Sequence, residues 1–135
     1  MVASQGRSRG RVVLTVLFAL VALNAGLQVL LAQLGRSDAP ETLVLWQGAS
    51  AIAAVAAAWG SWSGARWAPG AALGYGVVAG AMLAALPMLL GLEPSARGGV
   101  WAGSALLLLF GVGAARHLRR ALRVTGDDVP GRQRA

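Results

Sequence analysis

Residues 12–34 read VVLTVLFALVALNAGLQVLLAQL. The stretch holds no Asp, Glu, Lys, Arg or His, and about 20 such residues wound as an α-helix cross a hydrocarbon core of about 30 Å. A basic leader, MVASQGRSRGR, stands before it. A secretory signal also pairs a basic leader with an apolar stretch, but its apolar region runs to about 7–15 residues and ends at a small-residue cleavage site. This stretch is longer and ends without an A-x-A motif. It reads as a spanning helix.

Three similar stretches follow, at about 43–62, 69–92 and 99–115. The gaps between them carry helix punctuation. Gly35 to Glu41 stops the first helix and offers Asp38 as N-cap of the second, with Glu41 three positions on. Gly64 to Gly70 makes a short turn with Pro69 suited to the first turn of the third helix, and Glu93 to Gly98 forms the last connection. Gaps this short reverse the chain each time. The expectation is an all-α, four-transmembrane-helix antiparallel bundle: a cytoplasmic leader at 1–11, a membrane domain at 12–123 that ends in a helical extension past 115, and a disordered tail at 124–135.

Composition agrees. Of the 135 residues 56% are hydrophobic and 13% charged, about half the charge of a soluble domain, and the mean hydropathy is +0.61. That excludes a disordered chain, a water-soluble enzyme and a nucleic-acid-binding domain, despite a net charge of +7. With no cysteine there is no disulfide, thiolate metal site or thiol redox motif. All twelve basic residues are Arg, and Ala and Gly are abundant, a bias that fits a high-GC bacterial genome.

Orientation follows from where the Arg residues fall. With both termini cytoplasmic, the inner side holds Arg7, Arg9, Arg11, Arg66 and the six Arg from Arg116 onward; the outer side holds Arg36 and Arg97. Positive residues concentrate on the cytoplasmic side of membrane proteins. Indole rings favour the headgroup layer, and Trp46 and Trp101 fall near the outer helix ends while Trp59, Trp62 and Trp67 cluster at the inner side. Both signals give a multi-pass protein of a bacterial inner membrane, N-in and C-in.

No spanning stretch contains an ionisable Asp, Glu, Lys, Arg or His. Proton relays and ion-coupled carriers place such groups inside the membrane, and a small multidrug-type exporter of this size relies on a buried carboxylate. Here the first helix has Asn24 and Gln28 instead, four apart and on one face. The second helix has a row of Gln47, Ser50, Ala51, Ala54, Ala58 and Ser61, opposite Leu45, Ile52, Val55 and Trp59. The small, polar face is expected to pack and the large one to meet lipid. Asn24, Gln28, Gln47 and Ser50 then form a polar bundle core that holds helices together by hydrogen bonds. The alternative is an uncharged polar lining for a small transporter or channel subunit.

Small-xxx-small pairs recur at Gly60/Gly64, Gly70/Gly74, Gly76/Gly80 and Gly99/Gly103, and let helix backbones approach. Along the third helix the row from Gly70 and Gly74 continues through Val77, Ala81 and Ala84. Pro87 bends that helix near its outer end, and Tyr75 is a packing residue. Beyond the fourth stretch Arg116, Arg119, Arg120 and Arg123 share one helix face, placed to contact anionic lipid headgroups at the cytoplasmic surface; nucleic acid is not the expected partner. His117 is the lone histidine, whereas haem b between helices takes two axial ligands and a metal site several donors. No cofactor, metal or catalytic residue is expected.

Residues 59–68, Trp-Gly-Ser-Trp-Ser-Gly-Ala-Arg-Trp-Ala, resemble the G-x-x-x-G-x-R-W-A turn between the second and third helices of small four-helix bacterial membrane proteins. The resemblance covers about a tenth of the chain. That group carries no assigned activity, so it implies a fold and a location and no functional residue. The functional expectation is a non-enzymatic membrane protein whose partners are the lipid bilayer, a second copy or a larger membrane complex.

Overall fold

The computed structural model describes residues 9–36, 38, 40–91 and 93–127. It is all-helical: α1 (Arg9–Gln33), α2 (Glu41–Ser63), α3 (Ala68–Leu89) and α4 (Pro94–Asp127). All four are long and apolar enough to cross a membrane, the fourth through its Arg97–Arg123 portion. At 1.5 Å per residue α1 to α3 are about 33–38 Å long and α4 about 50 Å, so α4 outlasts a bilayer core by several turns.

The helix ends differ from the sequence reading in two places. α2 is not capped by Asp38: Pro40 occupies the N-cap with φ −56° and ψ 142°, and no side chain caps the helix. The Pro40 carbonyl accepts the first bonds, from the amides of Leu43 at 2.9 Å and Val44 at 3.2 Å. Proline's fixed φ suits this half-extended position, and an exposed Asp38 two residues earlier is outside the turn. α4 runs on through Asp127, so the first four residues expected in a tail are helical; the rest of the tail, with Arg132 and Arg134, and the leader through Ser8, with Arg7, lie outside the described residues. Pro69 sits in the first turn of α3, and Pro87 lies inside it.

α3 packs most extensively on α4 and α1 on α2; α2 also packs on α3, and α1 touches α4 lightly. The contacts fix the registers. Gly76 lies against Gly111, Gly80 against Ser104 and Leu108, and Leu83 against Gly103; numbers rise along α3 as they fall along α4. Arg11 near the start of α1 reaches Ser61 and Trp62 at the end of α2.

The core is made of small side chains around a few rings. Among the described residues, eight of the eleven buried hydrophobic ones are alanine; the others are Phe18, Tyr75 and Leu118. Phe18 is wholly buried, edge-on to Tyr75 with ring centroids 5.4 Å apart and tilted on Phe110 at 5.7 Å. These rings join α1, α3 and α4, and such aromatic geometry adds to simple burial. The large aliphatic residues point outward. On α2, Leu45, Ile52, Val55 and Trp59 are 57–74% exposed while Ser50, Ala54, Ala57, Gly60 and Ser61 are buried, the division of faces that the sequence pattern implies.

On α3 the Gly76/Gly80 pair makes the expected backbone contact and the row from Gly70 and Gly74 does not. Gly70 and Gly74 have open space beside them, and Val77, Ala81 and Ala84 are exposed. The buried row is Ala72, Gly76, Ala79 and Gly80. A methyl group at Gly76 would stand 2.8 Å from Gly111 Cα and 3.0 Å from the Leu107 carbonyl oxygen. Glycine at both positions is what permits that backbone approach.

Candidate functional site

The four residues expected to form a polar core are separated by the fold. Ser50 is buried, and its hydroxyl faces Met82 Sδ at 3.9 Å across the α2–α3 contact. Gln47 is half-buried. Asn24 and Gln28 are exposed on α1 and make no hydrogen bond among the described residues. They do not point into this bundle, which corrects the inward placement. Phe18 and Ala25 take the buried side of α1, and at about 100° per residue Asn24 falls roughly 100° and Gln28 roughly 60° round the helix from Ala25, on its exposed flank.

A groove of about 420 Å³ lies between α1 and α2, lined by Ala19, Ala22, Leu23, Val55, Ala58 and Trp59; none of the four polar residues lines it. Among the described residues no three His, Asp or Glu side chains come together.

Two polar interactions that the sequence did not disclose tie the helices. Ser104 of α4, buried, donates to the Gly80 carbonyl of α3 at 2.7 Å. Arg11 of α1, half-buried, donates from Nε to the Ser61 carbonyl at 3.1 Å and from Nη2 to the Trp62 carbonyl at 3.2 Å. The last carbonyls of a helix have no intrahelical donor, so a guanidinium from the neighbouring helix satisfies two of them and places a positive charge where the helix dipole is negative. Gly64 makes room. It turns the chain in the left-handed region at φ 70°, and a side chain there would stand 2.5 Å from Arg11 Nη2. The carbonyl of Gly60 is met from within, by the amides of Gly64 at 3.0 Å and Ala65 at 3.2 Å. Only the depth match between Arg11 and residues 61–62 hints at this clamp in the sequence.

The same end of the molecule carries the arginine row. Arg116, Arg119, Arg120 and Arg123 are all exposed, whereas Leu118 is 1% exposed and belongs to the core. The extension of α4 therefore stays packed on the bundle through Leu118 and turns its guanidinium face outward. His117 lies over Gly10 of α1, so close that any side chain at Gly10 would collide with its ring. Trp59, Trp62 and Trp67, towards this end, and Trp46 and Trp101, towards the other, are all exposed.

Compared with protein-family models, with curated proteins and with solved structures, the chain matches none.

Proposed function

We propose that this chain is a multi-pass protein of a bacterial inner membrane, an antiparallel four-helix bundle with both termini cytoplasmic, that acts as a packed, non-enzymatic membrane component through its contacts with lipid and with other membrane proteins. The observation that carries this is the inverted distribution of side-chain size. Alanine and glycine fill the interior, while Leu20, Leu23, Ile52, Leu106 and Leu109, each 58–74% exposed, clothe the outside. In water a contiguous surface of that kind drives aggregation. In lipid it is the stable arrangement, because helix association there rests on close packing of small residues and not on expelling water.

The alternating registers of α1 with α2 and α3 with α4 support antiparallel spans. The Arg distribution supports the cytoplasmic placement of the termini, and the exposed row on α4 supports contact with anionic headgroups. A conduit gains no support from a groove lined by alanine, leucine, valine and tryptophan.

The test is reconstitution. The purified full chain, placed in proteoliposomes, is expected to stay with the vesicles through alkaline carbonate washing and to pass neither ions nor small polar solutes. A flux in the wild-type protein that Gln28→Leu abolishes, with helicity kept, would overturn the non-conducting reading in favour of a small transporter or channel subunit.

A further inference from the structure

Asn24 stands near the middle of the apolar stretch 12–34, and Gln28 one turn farther out. Both are exposed and unpaired among the described residues. Lipid satisfies the exposed outer face of α2, where Leu45, Ile52, Val55 and Trp59 have no polar side-chain atom other than the indole N–H. It cannot satisfy a carboxamide, which has an acceptor oxygen and two N–H donors, at a depth where no water reaches. Something other than acyl chain must cover this part of α1.

The pattern around the amides is a seam. Leu17, Val21, Asn24, Gln28 and Leu31 follow at intervals of four, three, four and three, the spacing by which one helix meets another along its length. Toward the N-terminus the same row continues through Leu14, packed against the core, and Gly10, which lies under His117 of α4. The inner end of the seam is thus closed by this chain. Beyond it Leu17, 42% exposed, Asn24 and Gln28 lie uncovered, while Val21 packs its inner edge against the core and Leu31 is half-buried.

We propose that two copies of the chain pair in the bilayer through this seam, with Asn24 and Gln28 of one copy hydrogen-bonded to the same residues of the other. The inference rests on the membrane reading above, and chemistry selects the occupant. All copies of a membrane protein share one orientation, so the two-fold axis of a closed dimer stands along the membrane normal and residues of equal depth meet. Identical side chains therefore face each other. The carboxamide suits this arrangement because its N–H donates to its counterpart's oxygen and the reverse. An Asn in such a seam also favours one register, since a slip of three residues leaves Asn24 opposite Val21.

The chain has no cysteine, so single cysteines report the pairing with the amides intact. Full-length Leu17→Cys and Leu31→Cys in liposomes are expected to form disulfide-linked dimers on mild oxidation, while Ile52→Cys and Leu106→Cys stay monomeric. Adding Asn24→Leu and Gln28→Leu is expected to remove the cross-link and to weaken association, read by energy transfer on dilution into excess lipid, roughly tenfold or more. Both replacements lie on an exposed face, and circular dichroism checks that helicity is kept. If alkaline carbonate releases the chain from vesicles, the membrane reading fails and the pairing with it. If the chain stays in the membrane but Leu17→Cys cross-links no better than Ile52→Cys, lipid or a different protein covers the seam; the membrane reading then stands and the pairing is refuted. A dimer that survives both leucine replacements refutes it equally.

Discussion

Gly76→Ala offers a demanding check on the packing, because its near neighbour Gly74 supplies a control two residues away. At Gly76 the new methyl would meet Gly111 Cα at 2.8 Å and the Leu107 oxygen at 3.0 Å, both backbone atoms that no rotamer change can move. Ordinary carbon–carbon contact is about 3.5–4.0 Å, so α3 and α4 would have to separate by roughly 0.7 Å or more, and a gap of that size forfeits a quarter to a half of each contact's dispersion energy. The separation also stretches the 2.7 Å bond from Ser104 to the Gly80 carbonyl, one turn away. Overpacking of this kind costs about 1–3 kcal/mol, offset by about 0.5–1 kcal/mol from replacing glycine by alanine inside a helix. The net expectation is a loss of up to about 2.5 kcal/mol. Gly111→Ala, the reciprocal change, should behave alike, since its methyl meets Gly76 Cα at 2.8 Å. At Gly74 the methyl has open space, so Gly74→Ala should be neutral or stabilising. Equilibrium unfolding in mixed detergent micelles, followed by circular dichroism, measures all three. If Gly76→Ala and Gly74→Ala shift stability in the same direction, the α3–α4 interface described here is wrong.

Other consequences are open to direct measurement. Ser104→Ala removes the buried bond to the Gly80 carbonyl and should cost about 0.6 kcal/mol, and no more than about 1.7, in the same unfolding experiment. Arg11→Ala removes the guanidinium's bonds to the Ser61 and Trp62 carbonyls and should cost about 1–3 kcal/mol, with Arg11→Lys recovering only part of the loss because an ammonium lacks the guanidinium's fork. Replacing Arg116, Arg119, Arg120 and Arg123 together by Gln should abolish a preference for anionic lipid worth about 1 kcal/mol per residue. Quenching of tryptophan fluorescence by brominated anionic lipid, compared with brominated zwitterionic lipid, reads that preference.

The four helices and the outward side of α2 were legible in the sequence because both rest on local pattern. Length and the absence of charge define a span, and on α2 the large residues Leu45, Ile52, Val55 and Trp59 recur on one side while Ser50, Ala54 and Ser61 recur on the other. α3 defeats the same reasoning. Its glycines fall into two rows, Gly70 with Gly74 and Gly76 with Gly80, and an almost uniformly small helix carries no contrast in size to tell which row meets a neighbour. Ser104 and Arg11 escaped for a different reason. Their acceptors lie 24 and 50–51 residues away, so the bonds exist only once helix order and register are set. Asn24 and Gln28 were expected inside because an amide in apolar surroundings needs a partner. The physics requires a partner but does not say that it belongs to the same chain.

Labelling of single cysteines from one side of the membrane tests the central claim most directly, since the cysteine-free chain makes each introduced thiol a unique reporter. Asp38→Cys and Glu93→Cys sit in the gaps after α1 and α3, Ser63→Cys ends α2, and Arg123→Cys lies near the end of α4; all four positions are exposed. In intact bacterial cells whose outer membrane has been made permeable, a membrane-impermeant maleimide is expected to label residues 38 and 93, and to reach 63 and 123 only after the inner membrane is disrupted. The reversed pattern would invert the orientation. Labelling of all four sites in intact cells, or of 38 and 63 together, would contradict a four-span bundle.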